Sequence, residues 1–116
     1  MPPNRRVVEL VLEPAGATLT KAENGAEALR AFMAAEFDVV LIDMQMPLMD
    51  GLAATRAIRD FEATRPARRR TPIIMLSANA MLQHREEALA AGADLHLAKP
   101  VTPASLLGAV SDVLAL

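Results

Sequence analysis

The chain has no cysteine, which excludes disulfides and thiolate metal sites. It has no tryptophan or tyrosine and only three phenylalanines, so it offers few flat rings for stacking single-stranded nucleic acid. Neither sign of charge dominates: 12 Lys and Arg stand against 14 Asp and Glu, a formal net charge of −2. No overall field draws the protein to nucleic acid or to an anionic membrane. No apolar run reaches membrane-spanning length, and the opening M-P-P-N-R-R is not a signal peptide. With two histidines and no cysteine, a transition-metal site is not expected. These absences fit a cytoplasmic protein. What the chain does have is apolar surface, 53 % of 116 residues. Much of that is alanine, and it is enough for one close-packed domain over residues 1–116.

The most informative stretch is Asp38 to Gly51. Val39, Val40, Leu41 and Ile42 form an unbroken apolar run, which suits a parallel strand covered on both faces. Asp43 follows at once, at the carboxyl end of that strand, the edge where ligands collect in open α/β sheets. Pro47 can continue neither sheet nor helix, and Asp50-Gly51 reads as the cap and first turn of a new helix.

The rest of the chain alternates in the same way. A helix is expected over 4–13, with Val7, Val8 and Val11 on one face and Pro14 to Gly16 ending it. Thr18 to Lys21 alternates polar and apolar residues like a half-exposed edge strand. Asn24 and Glu27 have capping-box spacing, and Leu29, Phe32 and Met33 give the helix they open its apolar face. Leu52, Thr55 and Ile58 mark the inward side of a helix running to about Glu62. The polar loop from Thr64 to Thr71 holds Arg65, Arg68, Arg69 and Arg70, which read as a solvated cluster or as a contact to an acidic partner or a phosphate. Ile73 to Leu76 is a second buried strand and leads to Ser77. Asn79 is the expected cap of a helix with Leu82 and Leu89 inward, His84 exposed and Gly92 as its stop. Leu95 to Leu97 is a short strand before Lys99-Pro100. Thr102 and Pro103 open a last helix with the apolar stripe Leu106, Leu107, Val110, Val113 and Leu114. Four strand signals alternating with five helices imply an α/β fold, a mainly parallel sheet with helices on both faces.

Asp43, Ser77 and Lys99 each follow a strand at its carboxyl end, so a parallel sheet would line them along one edge. A carboxylate can attack phosphorus, an ammonium supplies a point charge, and a hydroxyl donates a hydrogen bond. Phosphoryl transfer needs little more than such positioning and charge neutralisation.

The segment D-V-V-L-I-D-M-Q-M-P-L-M-D-G, with L-S-A-N-A-M and H-L-A-K-P-V further on, resembles the receiver domains of response regulators in two-component signalling, the chemotaxis receiver among them. The wording is closest to receivers of hybrid histidine kinases. The resemblance implies a flavodoxin-like doubly wound parallel sheet in the order 2-1-3-4-5. It implies that Asp43 accepts a phosphoryl group from a phosphohistidine and that Ser77 and Lys99 bind it. Mg²⁺ would be held by Asp43 and the Gln45 backbone carbonyl, and the Lys99-Pro100 peptide would be cis. The partner would be a histidine kinase or a histidine phosphotransfer protein. The chain would then be no enzyme on a separate substrate, but a phospho-acceptor that catalyses its own phosphorylation and dephosphorylation. His96 stands where receivers often carry an aromatic switch residue. It reads either as a half-exposed strand histidine or as a switch coupled to Ser77.

One part of the pattern departs. Receivers begin with a hydrophobic strand and an acidic pair that holds Mg²⁺, and Met1-Pro2-Pro3-Asn4 looks like the segment just after that pair. The first strand and the pair are therefore expected to be missing, which weakens Mg²⁺ binding and opens the middle of the sheet to a partner or a second copy. The alternative function is a truncated or pseudo-receiver that acts as a protein-interaction module. A phosphatase of the haloacid-dehalogenase kind is disfavoured, because that family needs an aspartate where Gln45 stands.

Overall fold

The computed structural model describes residues 10, 12–13, 20, 22–45, 48–78 and 82–115. It contains α1 (Gly25–Ala34), β1 (Val40–Asp43), α2 (Gly51–Ala63), β2 (Ile73–Ser77), α3 (Leu82–Ala91), β3 (Leu95–Ala98) and α4 (Pro103–Leu114). Of the helix expected over 4–13, Leu10 and Leu12 are helical and Leu12 is buried. Glu13 lies in a turn, and the rest of that helix, the strand expected over 18–21 apart from Thr20, and the cap Asn79 lie outside the described residues. Among the described residues no helix is long and apolar enough to cross a membrane.

The three strands form one parallel sheet in the order β1-β2-β3. All five residues of β2 are buried, as befits a central strand with no polar side chain before Ser77. Its side chains alternate between two cores. Ile73 and Met75 pack with Phe32 of α1, Ile42 of β1, Ala54 and Ile58 of α2, and Ala88 of α3. Ile74 and Leu76 pack with Val101 and with Ala109 and Val113 of α4. Helices therefore cover both faces of the sheet, as the unbroken apolar runs require.

Local chemistry sets the helix ends. Asn24 accepts from the Glu27 amide at 2.9 Å and its side-chain amide donates to the Glu27 carboxylate at 3.1 Å. Asp50 accepts from the Ala53 amide at 2.8 Å. Thr102 and Ser105 complete a capping box with Pro103 in the first turn. Gly92 ends α3 with φ 115°, a conformation that L side chains rarely adopt.

Three apolar faces are narrower than expected. On α3, Leu82 and Leu89 are exposed at 66 % and 44 %, and Ala88 and Ala91 are buried instead. At 3.6 residues per turn, Leu82 and Leu89 share a side that lies roughly a third to half a turn from the alanines. The small residues let α3 lie close against the sheet. On α4, Leu106 and Val113 are buried and Val110 is half-buried, while Leu107 and Leu114 are exposed. On α1, Phe32 is buried, Leu29 is half-buried and Met33 is exposed. His84, expected in solvent, is half-buried, and its Nδ1 has no partner among the described residues.

Candidate functional site

Asp43 ends β1 opposite Leu76, Ser77 ends β2 opposite Ala98, and Lys99 follows β3 directly. The three are thus neighbours along the carboxyl edge of the sheet. Two backbone bonds hold the strand ends in register one residue further on. The Met44 amide donates to the Leu76 carbonyl and the Lys99 amide to the Ser77 carbonyl, each at 2.7 Å. The Lys99-Pro100 peptide is cis, as the resemblance implied.

The Lys99 ammonium lies 2.7 Å from Asp43 Oδ1, with the two side chains 26 % and 33 % exposed. The contact is an ion pair, and Oδ1 accepts no hydrogen bond from the described residues. Ser77 is 3 % exposed, and its Oγ lies 2.5 Å from His96 Nε2. Burial holds the His96 ring below the usual histidine range, and His84 and Arg85 on α3 act in the same direction.

Gly51 lets α2 start against this edge. Its amide donates to the Met44 carbonyl at 2.8 Å, and a Cβ there would sit 2.0 Å from the Asp43 carbonyl oxygen. Any side chain at this position would push the helix off the strand end that carries Asp43. Leu48, in the loop between them, has φ 67° and is 90 % exposed. That left-handed conformation costs roughly 1–2 kcal/mol for a residue with a Cβ.

The ligands that the resemblance implied for a cation at this edge are the Asp43 carboxylate and the Gln45 carbonyl. Among the described residues no group of three or more Asp, Glu or His could hold a metal ion. Mg²⁺ takes six oxygens in near-octahedral order and is normally held by one or two carboxylates. One carboxylate already paired with an ammonium does not make a tight site of that kind. What the edge does present is a carboxylate, a positive charge beside it and a buried hydroxyl on the next strand, a set suited to receiving an anionic group.

A second polar cluster went unread in the sequence. Arg59 on α2 donates to the carbonyls of Gly92 and Thr71 and pairs with Glu62 and Asp94. Arg70 also pairs with Asp94, whose carboxylate accepts from the Ile73 amide at the start of β2. Arg68 lies over the rings of Phe32 and Phe61 and donates to the carbonyls of Phe32 and Ala35 at the end of α1. Of the four loop arginines, then, Arg68 and Arg70 are structural. Arg69 stays 75 % exposed, 3.9 Å from Asp38. The i,i+3 spacing of Arg59 and Glu62 was the only local signal of this cluster.

The chain matches the response regulator receiver domain family over residues 1–111. It is 41 % identical over 105 residues to the sensor protein GacS of Pseudomonas syringae pv. syringae, covering 90 % of this chain but 12 % of that protein. It therefore spans only a small part of the sensor protein it matches. The chemotaxis protein CheY of Halobacterium salinarum is 34 % identical over 110 residues, 95 % of this chain and 87 % of that one. Among solved structures, the receiver domain of the sensor histidine kinase PA1611 from Pseudomonas aeruginosa has a magnesium ion coordinated in its active site cleft. It superposes with a TM-score of 0.84 at 36 % identity, over 97 % of this chain and 89 % of that one. Sheet, helices and sequence agree along nearly the whole chain, and the protein belongs to the response regulator receiver domain family, with its flavodoxin-like fold.

Proposed function

We propose that residues 1–116 form one receiver domain that accepts a phosphoryl group on Asp43 in a cytoplasmic two-component phosphorelay. The donor is a phosphohistidine on a histidine kinase or a histidine phosphotransfer protein. An Asp43 carboxylate oxygen attacks phosphorus and the bond from phosphorus to the donor imidazole breaks. The ring nitrogen keeps the electron pair and takes up a proton, and an acyl phosphate forms on Asp43. The observation that carries this reading is the 2.7 Å approach of the Lys99 ammonium to Asp43, with Ser77 ending the adjacent strand. Lys99 neutralises charge on the incoming phosphoryl oxygens, and the Ser77 hydroxyl donates to one of them. Attack of water on the acyl phosphate returns Asp43, so the domain acts on its own modification and not on a separate substrate. Mg²⁺ would be held by Asp43 and the Gln45 carbonyl, and it binds weakly, because among the described residues no group of three or more acids or histidines could hold a metal ion.

The test is intact mass after incubation with acetyl phosphate, with and without Mg²⁺, alongside Asp43→Asn. A single phosphoryl adduct that the variant lacks is the expected result. No adduct from a sample with a cooperative thermal transition would refute it. That outcome favours the second reading, a protein-interaction module, which the lack of a metal-holding group of acids among the described residues supports. In either reading the edge of β1 away from β2 is a place for self-association.

A further inference from the structure

Ser77 is the most buried member of the site at 3 % exposure, so its single hydroxyl proton goes to fixed neighbours and not to bulk water. One of those neighbours is the His96 ring, with Nε2 2.5 Å from Oγ. The pair is diagonal across the ladder, since His96 stands opposite Met75 and Ser77 opposite Ala98, on the same face of adjacent strands. A bare Nε2 accepts the hydroxyl proton. A protonated Nε2 donates to Oγ and turns that proton toward another acceptor.

We infer that His96 is a positioning residue for Ser77 and gates its hydroxyl by protonation: the neutral ring holds the proton back, and the ring charged at Nε2 releases it toward a phosphoryl group on Asp43. The consequence for phosphorylation rests on the reading of Asp43 as phospho-acceptor, while the proton arrangement stands on the contact itself.

The surroundings fix the resting state. Burial comes first, then the positive potential of His84 and Arg85 on α3, and all of these hold the ring neutral at pH 7. β2 carries no titratable side chain. The only one on α4 is the exposed Asp112, and Lys99, just beyond β3, is paired with Asp43. α3 also carries Glu86 and Glu87, but neither is among the causes acting on His96, all of which lower its pKa, so no acid on these elements stabilises the imidazolium. A phosphoryl dianion beside Ser77 would do so, so phosphorylation takes up a proton at His96 and acid favours the phosphorylated form.

The experiment is ¹⁵N NMR of the two histidine rings, assigned with His84→Gln, in the wild type, Ser77→Ala and Ser77→Thr. Above its titration, the neutral wild-type His96 ring should carry its proton on Nδ1. Ser77→Thr, which keeps the hydroxyl, should keep that tautomer, and Ser77→Ala should shift it toward the Nε2–H form. A neutral wild-type ring protonated at Nε2, or a tautomer unchanged by Ser77→Ala, overturns the gate. The second measurement is the acetyl phosphate adduct against pH. It should rise several-fold as pH falls through the His96 titration in the wild type, relative to a flat profile in His96→Phe. Identical profiles would overturn the release of the proton to the phosphoryl group. No adduct in any variant at any pH would refute the role of Asp43, and the tautomer would still decide the gate.

Discussion

The guanidinium of Arg59 donates to acceptors on three separate segments: Gly92 O at 2.9 Å, Thr71 O at 2.8 Å, Glu62 at 2.7 Å and Asp94 at 2.9 Å. Its side chain is 16 % exposed, and those of Glu62 and Asp94 are 9 % and 8 %. Removing one partner of a buried pair leaves uncompensated charge and costs about 3–5 kcal/mol. Arg70 and the Ile73 amide still hold Asp94, and the Thr71 amide still holds Glu62, so the loss falls near the lower end. Arg59→Met is therefore expected to lower the unfolding free energy by about 3 kcal/mol in a denaturant titration. Arg69→Met, at a residue 75 % exposed whose pair is 3.9 Å apart, should stay within about 0.5 kcal/mol of wild type. Equal effects would mean that Arg59 is no hub. Beyond the i,i+3 spacing of Arg59 and Glu62, none of this was legible in a chain where arginines look alike. Only the fold shows which one three segments converge on.

Elements meet at this site through their ends. β1 delivers Asp43 and α2 begins eight residues later, at Gly51, whose amide donates to the Met44 carbonyl. A Cβ at Gly51 would stand 2.0 Å from the Asp43 carbonyl oxygen, a backbone atom that cannot swing aside. Gly51→Ala should therefore cost roughly 2–3 kcal/mol of stability, the scale of overpacking a rigid contact. It should also lower the yield of any Asp43 adduct at temperatures where the variant is still folded. A variant as stable as wild type would show that the helix start can give way. The Asp50 cap and this helix start could be read from Asp-Gly alone, because the signal lies within one turn. The buried face of α3 could not. Leu82 and Leu89 look inward by hydropathy, yet the sheet accepts Ala88 and Ala91, since close approach of the backbone outweighs the larger apolar side chains.

At the scale of the molecule, the sheet has one fully buried strand, β2, between β1 and β3. Among the described residues β1 pairs with β2 alone, which leaves the backbone groups of its other edge without a described strand partner. An unpaired strand edge is a template for another chain. Sedimentation should accordingly show the average mass rising with concentration. A strictly monomeric mass at high concentration would count against self-association through this edge.

Sequence by itself determined the strand ends at Asp43 and Ser77, the place of Lys99 just after the last strand, the caps at Asn24, Asp50 and Thr102, and the parallel class of the sheet. Each of these depends on residues within a few positions of one another, where periodicity and backbone preference act directly. The tertiary structure decided the rest. The Ser77–His96 contact joins residues 19 apart, and Arg59 reaches Asp94 across 35. Such pairs form only once helices and strands are packed, because no local preference of either residue encodes the distance between them.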